Sequence, residues 1–160
     1  MTDPLDPLLD LHEDFDERLH RHQEALVRQE LTVAREEIER LRDDLRSHAD
    51  DEERLLLPVL EEHGGWTRIG HPDFYRQDHA KLHSMLDDLC RRTAELSPDD
   101  PGLARTIARL LVGQHKLETL LEHHDERERK GLYTDLLRMT TAEQRTELHA
   151  AFRPPRGPVT

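Results

Sequence analysis

Ser47–Pro58, SHADDEERLLLP, places His48 and Glu52 four residues apart within a long helical pattern. Upstream, Ala34, Ile38, Leu41 and Leu45 recur at alternating steps of four and three, the rhythm of a helix face turned toward a core. Continued, that rhythm runs through His48 and Glu52 and resumes at Leu55 and Val59. Two titratable groups therefore fall on consecutive core positions, where an uncompensated carboxylate costs several kcal/mol. Something of opposite charge must stand against them. A second copy lies downstream, where Leu110, Leu117 and Leu121 lead into His124 and Glu128, followed by Leu132 and Tyr133. Two such pairs on two helices are what a carboxylate-bridged dinuclear metal centre needs.

The bulk composition points the same way. At 160 residues the chain is expected to form one domain, over residues 1–152, with residues 153–160 (RPPRGPVT ends the chain) as a disordered tail. A content of 36% charged and 4% aromatic residues suits amphipathic helices and leaves little to build a strand. The formal charge of −12 argues against nucleic acid and against an anionic membrane as partners, and favours cations. Short apolar runs exclude a transmembrane span, and the N-terminal segment lacks the pattern of a signal peptide. The single cysteine, Cys90, excludes an internal disulfide and fits the cytoplasm. Twelve histidines are the compositional outlier, and histidine is the commonest metal ligand.

Taken in order, Asp6-Pro7 reads as a cap followed by proline at the start of a first helix, with a seam of Leu8, His12, Phe15, Leu19, His22 and Leu26. A turn near Gln29–Thr32 leads to a second helix from Val33 to Glu62, bent at Pro58 and ended by Gly64-Gly65. Asp73 is positioned to cap a third helix with seam Tyr75, His79, Leu82, Leu86 and Leu89. Asp100-Pro101 opens a fourth that reaches Leu137, and Thr140 with Glu143 forms a capping box for a short fifth. Laid on each other, the two halves match Leu11-His12-x-x-Phe15 to Asp78-His79-x-x-Leu82 and His48/Glu52 to His124/Glu128. The expected architecture is all-α, an antiparallel up-down four-helix bundle with a short C-terminal helix.

Level along the bundle selects among the histidines, since each residue rises about 1.5 Å. His48 and His12 lie at similar distances from the first turn, whereas His22 is about 15 Å nearer to it. His12 is therefore the first candidate and His22 the second. On the third helix His79 occupies the seam with His83 one turn on. On the fourth, His124 lies about 40° from Glu128 around the helix and His123 about 140° away, which makes His124 the first ligand candidate, with His123 the alternative or a group behind it. Tyr75, one turn before His79, reads as a core aromatic that could also serve the centre. His20 reads as solvated, and His63, His71, His115 and His149 as surface or capping residues.

The ordered set LHEDF, SHADDEERLLLP, QDHAKLHSML and HHDERERKGLY resembles the hemerythrin-like, HHE cation-binding domains over about Leu8–Leu137. That resemblance implies two non-haem iron ions bridged by Glu52 and Glu128, with His79, His83 and His124 completing one ion and His12 and His48 the other. It also implies an open position on the second ion for dioxygen, peroxide or nitric oxide. Asp16, one turn after His12, is the alternative to His83 and would make the centre richer in carboxylate. Imidazole plus carboxylate accommodates manganese and zinc as well as iron. The expected function is thus binding of a small diatomic ligand or peroxide for sensing, storage or detoxification. The other classes are a di-iron enzyme consuming peroxide or oxidising a small substrate, a non-redox metal binder or iron reservoir, and a metal-free bundle whose histidines respond to pH. The oligomeric state is left open.

Overall fold

The computed structural model describes residues 3–154, and among them every regular element is helical. Four long helices, α1 (Asp6–Val27), α2 (Leu31–Leu55), α4 (Pro72–Ala94) and α5 (Leu103–Arg127), pack in a ring in which α1 touches α2 and α5, and α4 touches α2 and α5. Short α3 (Leu57–His63) continues α2, while α6 (Tyr133–Met139) and α7 (Ala142–Ala150) follow α5.

Several helix ends differ from expectation, each for a local reason. Asp6 lies inside α1, and the entering turn is held by Asp3, whose Oδ1 accepts from the Leu5 amide. His71, not Asp73, caps α4 by accepting from the Asp73 amide at 3.1 Å. The capping box of α7 is Thr141 with Gln144 rather than Thr140 with Glu143. Asp100 accepts from the Gly102 amide, so α5 starts two residues later than the proline suggested. Pro58 sits in the first turn of α3, where its missing N–H costs nothing, and the break falls just before it at Leu56. The fourth helix continues past Arg127 through a wider π turn, Glu128–Leu132, into α6. Gly131 in that turn is required by contact, because a Cβ there would meet the Tyr75 hydroxyl.

Two apolar clusters fill the bundle. One runs through Phe15, Leu45, Leu82 and Leu121 toward the α1–α2 turn, and the other gathers Leu8, Leu56, Tyr75 and Leu132 at the opposite end. Between them lies one buried polar layer. Every long helix crosses it by the same pattern, apolar residue, ligand-type residue, apolar residue, so the periodicity that builds the core also sets the layer's level.

His22 lies outside that layer, within the first cluster. Its Nδ1 donates to the Ala34 carbonyl at 2.8 Å, and its Nε2 accepts from the Gln114 amide at 3.2 Å. Both nitrogens are satisfied by a neutral ring, and burial lowers its pKa although the Ala34 hydrogen bond opposes this. The unfolded chain therefore takes up the proton first, and the stability supplied by neutral His22 is present above the ordinary histidine value and lost as pH falls below it. The His22→Gln variant is expected to lose less stability than the parent between about pH 8 and pH 5, as read from urea midpoints of the metal-free proteins. Equal losses in the two proteins would contradict this assignment.

Candidate metal centre

The polar layer holds His12, His48, Glu52, His79, His124 and Glu128, each at most 6% exposed. Their ligand atoms form two overlapping sets, His12/His48/Glu52/Glu128 and Glu52/His79/His124/Glu128, that share both carboxylates. Each carboxylate turns one oxygen to each set. Glu52 Oε1 is 3.2 Å from His48 Nε2, while its Oε2 is 3.3 Å from His79 Nε2. Glu128 Oε2 is 2.9 Å from His12 Nε2, and its Oε1 is 2.7 Å from His124 Nε2 and 3.8 Å from His79 Nε2. His12 Nε2 and His48 Nε2 are 3.3 Å apart.

These spacings also suit shared cations. Two ligands held about 2.1 Å from one ion stand about 3.0 Å apart at right angles and about 3.4 Å apart at the tetrahedral angle, and the separations here run from 2.7 to 3.8 Å. Glu52 Oε2, both Glu128 oxygens and His79 Nε2 are buried without a correctly oriented hydrogen-bond partner, although nitrogens and oxygens lie this close. Lone pairs directed at a common point rather than along N–H bonds explain that combination, and leaving them so without a counter-charge is costly.

Acids stand behind three of the rings, hydrogen-bonded to two of them. His12 Nδ1 is 2.5 Å from Asp125, His79 Nδ1 is 2.8 Å from Glu53, and His124 Nδ1 is 3.7 Å from Asp78. A carboxylate behind Nδ1 fixes the tautomer, keeps the Nε2 lone pair free and raises its basicity. Asp125 is steadied by Arg129, and Asp78 pairs with Arg127. Each acid adjoins a ligand in sequence, about 100° around its helix, so it faces the ligand of the next helix in the ring. Sequence reading missed all three, and adjacency to a seam ligand was the available signal.

Electrostatics mark the layer as a place for positive charge. Burial disfavours a proton on His12, yet the charge of Glu128 and the bond to Asp125 hold its pKa up at about 10. Burial is likewise overcome at His79, raised to about 11 by Glu128, Glu52 and Glu53, and at His124, raised to about 9 by Glu128 and Asp78. Glu128 stays well below its ordinary value despite burial, because His124 and His12 face it. Cations entering the layer take the place of these protons.

The remaining sequence candidates fall elsewhere. His83 is outside both sets: it is half-buried beside α2, where burial and Arg46 lower its pKa, and its Nε2 lacks a hydrogen-bond partner. The two carboxylates close on His79, one turn away, before His83 can reach them. Asp16 also joins neither set. It lines a small cavity with His12, Phe15, Leu45, His48, Ala49, Leu121, His124 and Asp125. His123 is exposed, leaving His124 in the layer. Tyr75 is fully buried and donates weakly to the Arg127 carbonyl at 3.4 Å, whereas Tyr133 donates to Glu52 Oε1 at 3.1 Å. The π turn carries the chain from Glu128 to Tyr133, so both reach the layer from one segment.

The family model described as the hemerythrin HHE cation binding domain matches residues 3–136. No curated protein and no solved structure matches the chain.

Proposed function

The chain belongs to the hemerythrin HHE cation-binding domain family, and from that premise we propose that it holds two non-haem iron ions and binds dioxygen, peroxide or nitric oxide for sensing, storage or detoxification. The observation that carries this reading is the sharing of both carboxylates by two buried sets, each with its own pair of imidazoles. His12 and His48 would serve one ion, His79 and His124 the other, and Glu52 and Glu128 both. We read the four long helices as an antiparallel up-down bundle, which brings both halves of the repeat to one level. A cytoplasmic setting suits Cys90, buried with its thiol near the Ile38 carbonyl. Among the described residues no helix is long and apolar enough to cross a membrane.

An iron pair held there would supply the redox chemistry. The protein supplies the rest. Asp125 and Glu53 hold His12 and His79 in the tautomer that leaves Nε2 free to ligate, Asp78 stands behind His124, and Tyr133 donates to Glu52 Oε1 and so steadies that carboxylate. Burial and the Glu52 charge push the Tyr133 phenol well above its ordinary value, so it remains a donor. The cavity beside His12, His48 and His124 has a volume of about 10 Å³, room for a particle the size of one water. Phe15, Leu45, Ala49 and Leu121 form its apolar wall, and its size favours a small ligand over an organic substrate. Asp16 at its mouth has a pKa raised by burial and by Asp125. A carboxyl placed beside the cavity is the feature favouring the second reading, consumption of peroxide.

The test is iron content per chain with the visible and near-ultraviolet spectrum of the aerobic protein, before and after anaerobic reduction and re-exposure to oxygen. About two irons with charge-transfer bands that bleach and return are expected; a colourless zinc or metal-free protein would refute the redox reading. Filling the cavity separates ligand binding from metal binding. Ala49→Val is expected to keep both ions, to cost about 1–3 kcal/mol of stability, and to weaken nitric oxide binding at least tenfold, about 1.4 kcal/mol. Unchanged nitric oxide affinity would place the ligand elsewhere.

A further inference from the structure

The family match ends at residue 136, and the chain beyond it returns to the centre. α7 buries no residue fully and rests on the second apolar cluster through half-buried Leu148, with Phe152 following it onto the same cluster. Arg145 reaches Asp3 at 2.8 Å. After the helix, Arg153 docks on α2: its backbone N–H donates to Asp51 Oδ2 at 2.8 Å, its Nε to Oδ1 at 3.0 Å, and a terminal nitrogen to the Ser47 carbonyl at 2.9 Å. Asp51 is 1% exposed and shares its charge between Arg153 and Arg54. This clamp seats Phe152 beside His48, with ring centroids 5.9 Å apart.

His48 is the imidazole in need of such a neighbour. His12 and His79 are hydrogen-bonded through Nδ1 to Asp125 and Glu53, and His124 has Asp78 standing 3.7 Å behind its Nδ1, whereas His48 Nδ1 is buried with neither a hydrogen-bond partner nor an acid paired with it. Overlay of the two halves gives the reason: Leu11 stands where Asp78 stands in the second half, and leucine accepts no hydrogen bond. His48 also borders a cleft of about 460 Å³ whose walls include Leu11, Phe15, Asp50, Arg153 and Pro154. The ligand lacking an orienting acid thus lies against the cleft, and the C-terminal segment forms one wall of it.

We propose that Phe152 and Arg153 form a latch: the Asp51–Arg153 clamp holds the Phe152 ring on His48, orienting it in place of the absent carboxylate, and opening the latch turns the cleft into the route by which metal ions reach and leave the centre. The orienting role stands on the contacts alone, while the route rests on the dinuclear reading.

Two measurements on the full chain separate these. In the metal-free protein, hydrogen–deuterium exchange at the imidazole C2 position, read by mass spectrometry, is expected to quicken several-fold at His48 in Phe152→Ala and Arg153→Ala and to stay unchanged at His12, His79 and His124, because only the local opening changes. In the zinc-loaded protein, the same variants are expected to release Zn(II) to a chromogenic chelator about tenfold faster, the scale on which losing an orienting partner weakens a site. Arg91→Ala, in an exposed pairing with Asp88 and Glu95 on α4, should match the parent in both. Unchanged His48 exchange in folded variants overturns the latch. Faster exchange with unchanged zinc release overturns the route. A parent chain that binds no ion removes the dinuclear reading and the route with it, and His48 exchange still decides the latch.

Discussion

Glu128→Ala and Glu52→Ala are each expected to abolish dinuclear loading, reducing bound metal from two ions per chain to one or fewer. Each glutamate gives one oxygen to the His12/His48 set and the other to the His79/His124 set, so one substitution takes a ligand from both. His12→Ala removes a ligand from one set alone and should leave about one ion. Loss of an orienting acid behind a ligand typically costs about 10–100-fold in affinity, and loss of the ligand itself costs more. Glu52→Ala carries a further penalty, since Tyr133 loses its acceptor in a fully buried place, about 1–3 kcal/mol. His22→Ala and His115→Ala should keep both ions, His22 being satisfied by Ala34 and Gln114 and His115 lying exposed. The check is metal per chain by elemental analysis beside circular dichroism of each variant. Full loading of a folded glutamate variant would end the bridging assignment.

Removing metal should lower the melting temperature by roughly 10 °C or more while leaving the helices formed at room temperature. An ion present at about a thousand times its dissociation constant stabilises the folded chain by about 4 kcal/mol. For a chain of this length each kcal/mol moves the midpoint by roughly 2–4 °C. The fold survives because the Leu45–Leu82–Leu121 cluster and the Leu8–Leu56–Leu132 cluster lie on either side of the layer and stay packed. Calorimetry with and without chelator, and with iron restored, measures the shift. A midpoint indifferent to metal would mean that the layer is an ion network satisfied by its own protons.

The helices were legible because a period of 3.6 residues leaves a clear trace in a chain with few aromatic and β-branched residues. The ends were less so. His71 took the cap expected of Asp73, and Thr141 with Gln144 took the box expected of Thr140 with Glu143, because capping depends on where the chain arrives from. The π turn left no trace in the pattern, since its purpose, bringing Glu128 and Tyr133 to one layer while Gly131 passes Tyr75, is set by contacts.

The sequence by itself determined the all-helical class, the doubling of the pattern and the level of the ligand layer, because these follow from periodicity and rise along single helices. It placed His12 over His22 and His124 over His123, the choices that bring side chains into the layer. Only the tertiary structure decided that each carboxylate faces two pairs of imidazoles, that His83 and Asp16 stand outside them, and that Asp125, Glu53 and Asp78 stand behind the rings. Those relations run between neighbouring helices, where rotation about each helix axis and the approach of a partner place an atom, and a one-dimensional pattern carries neither.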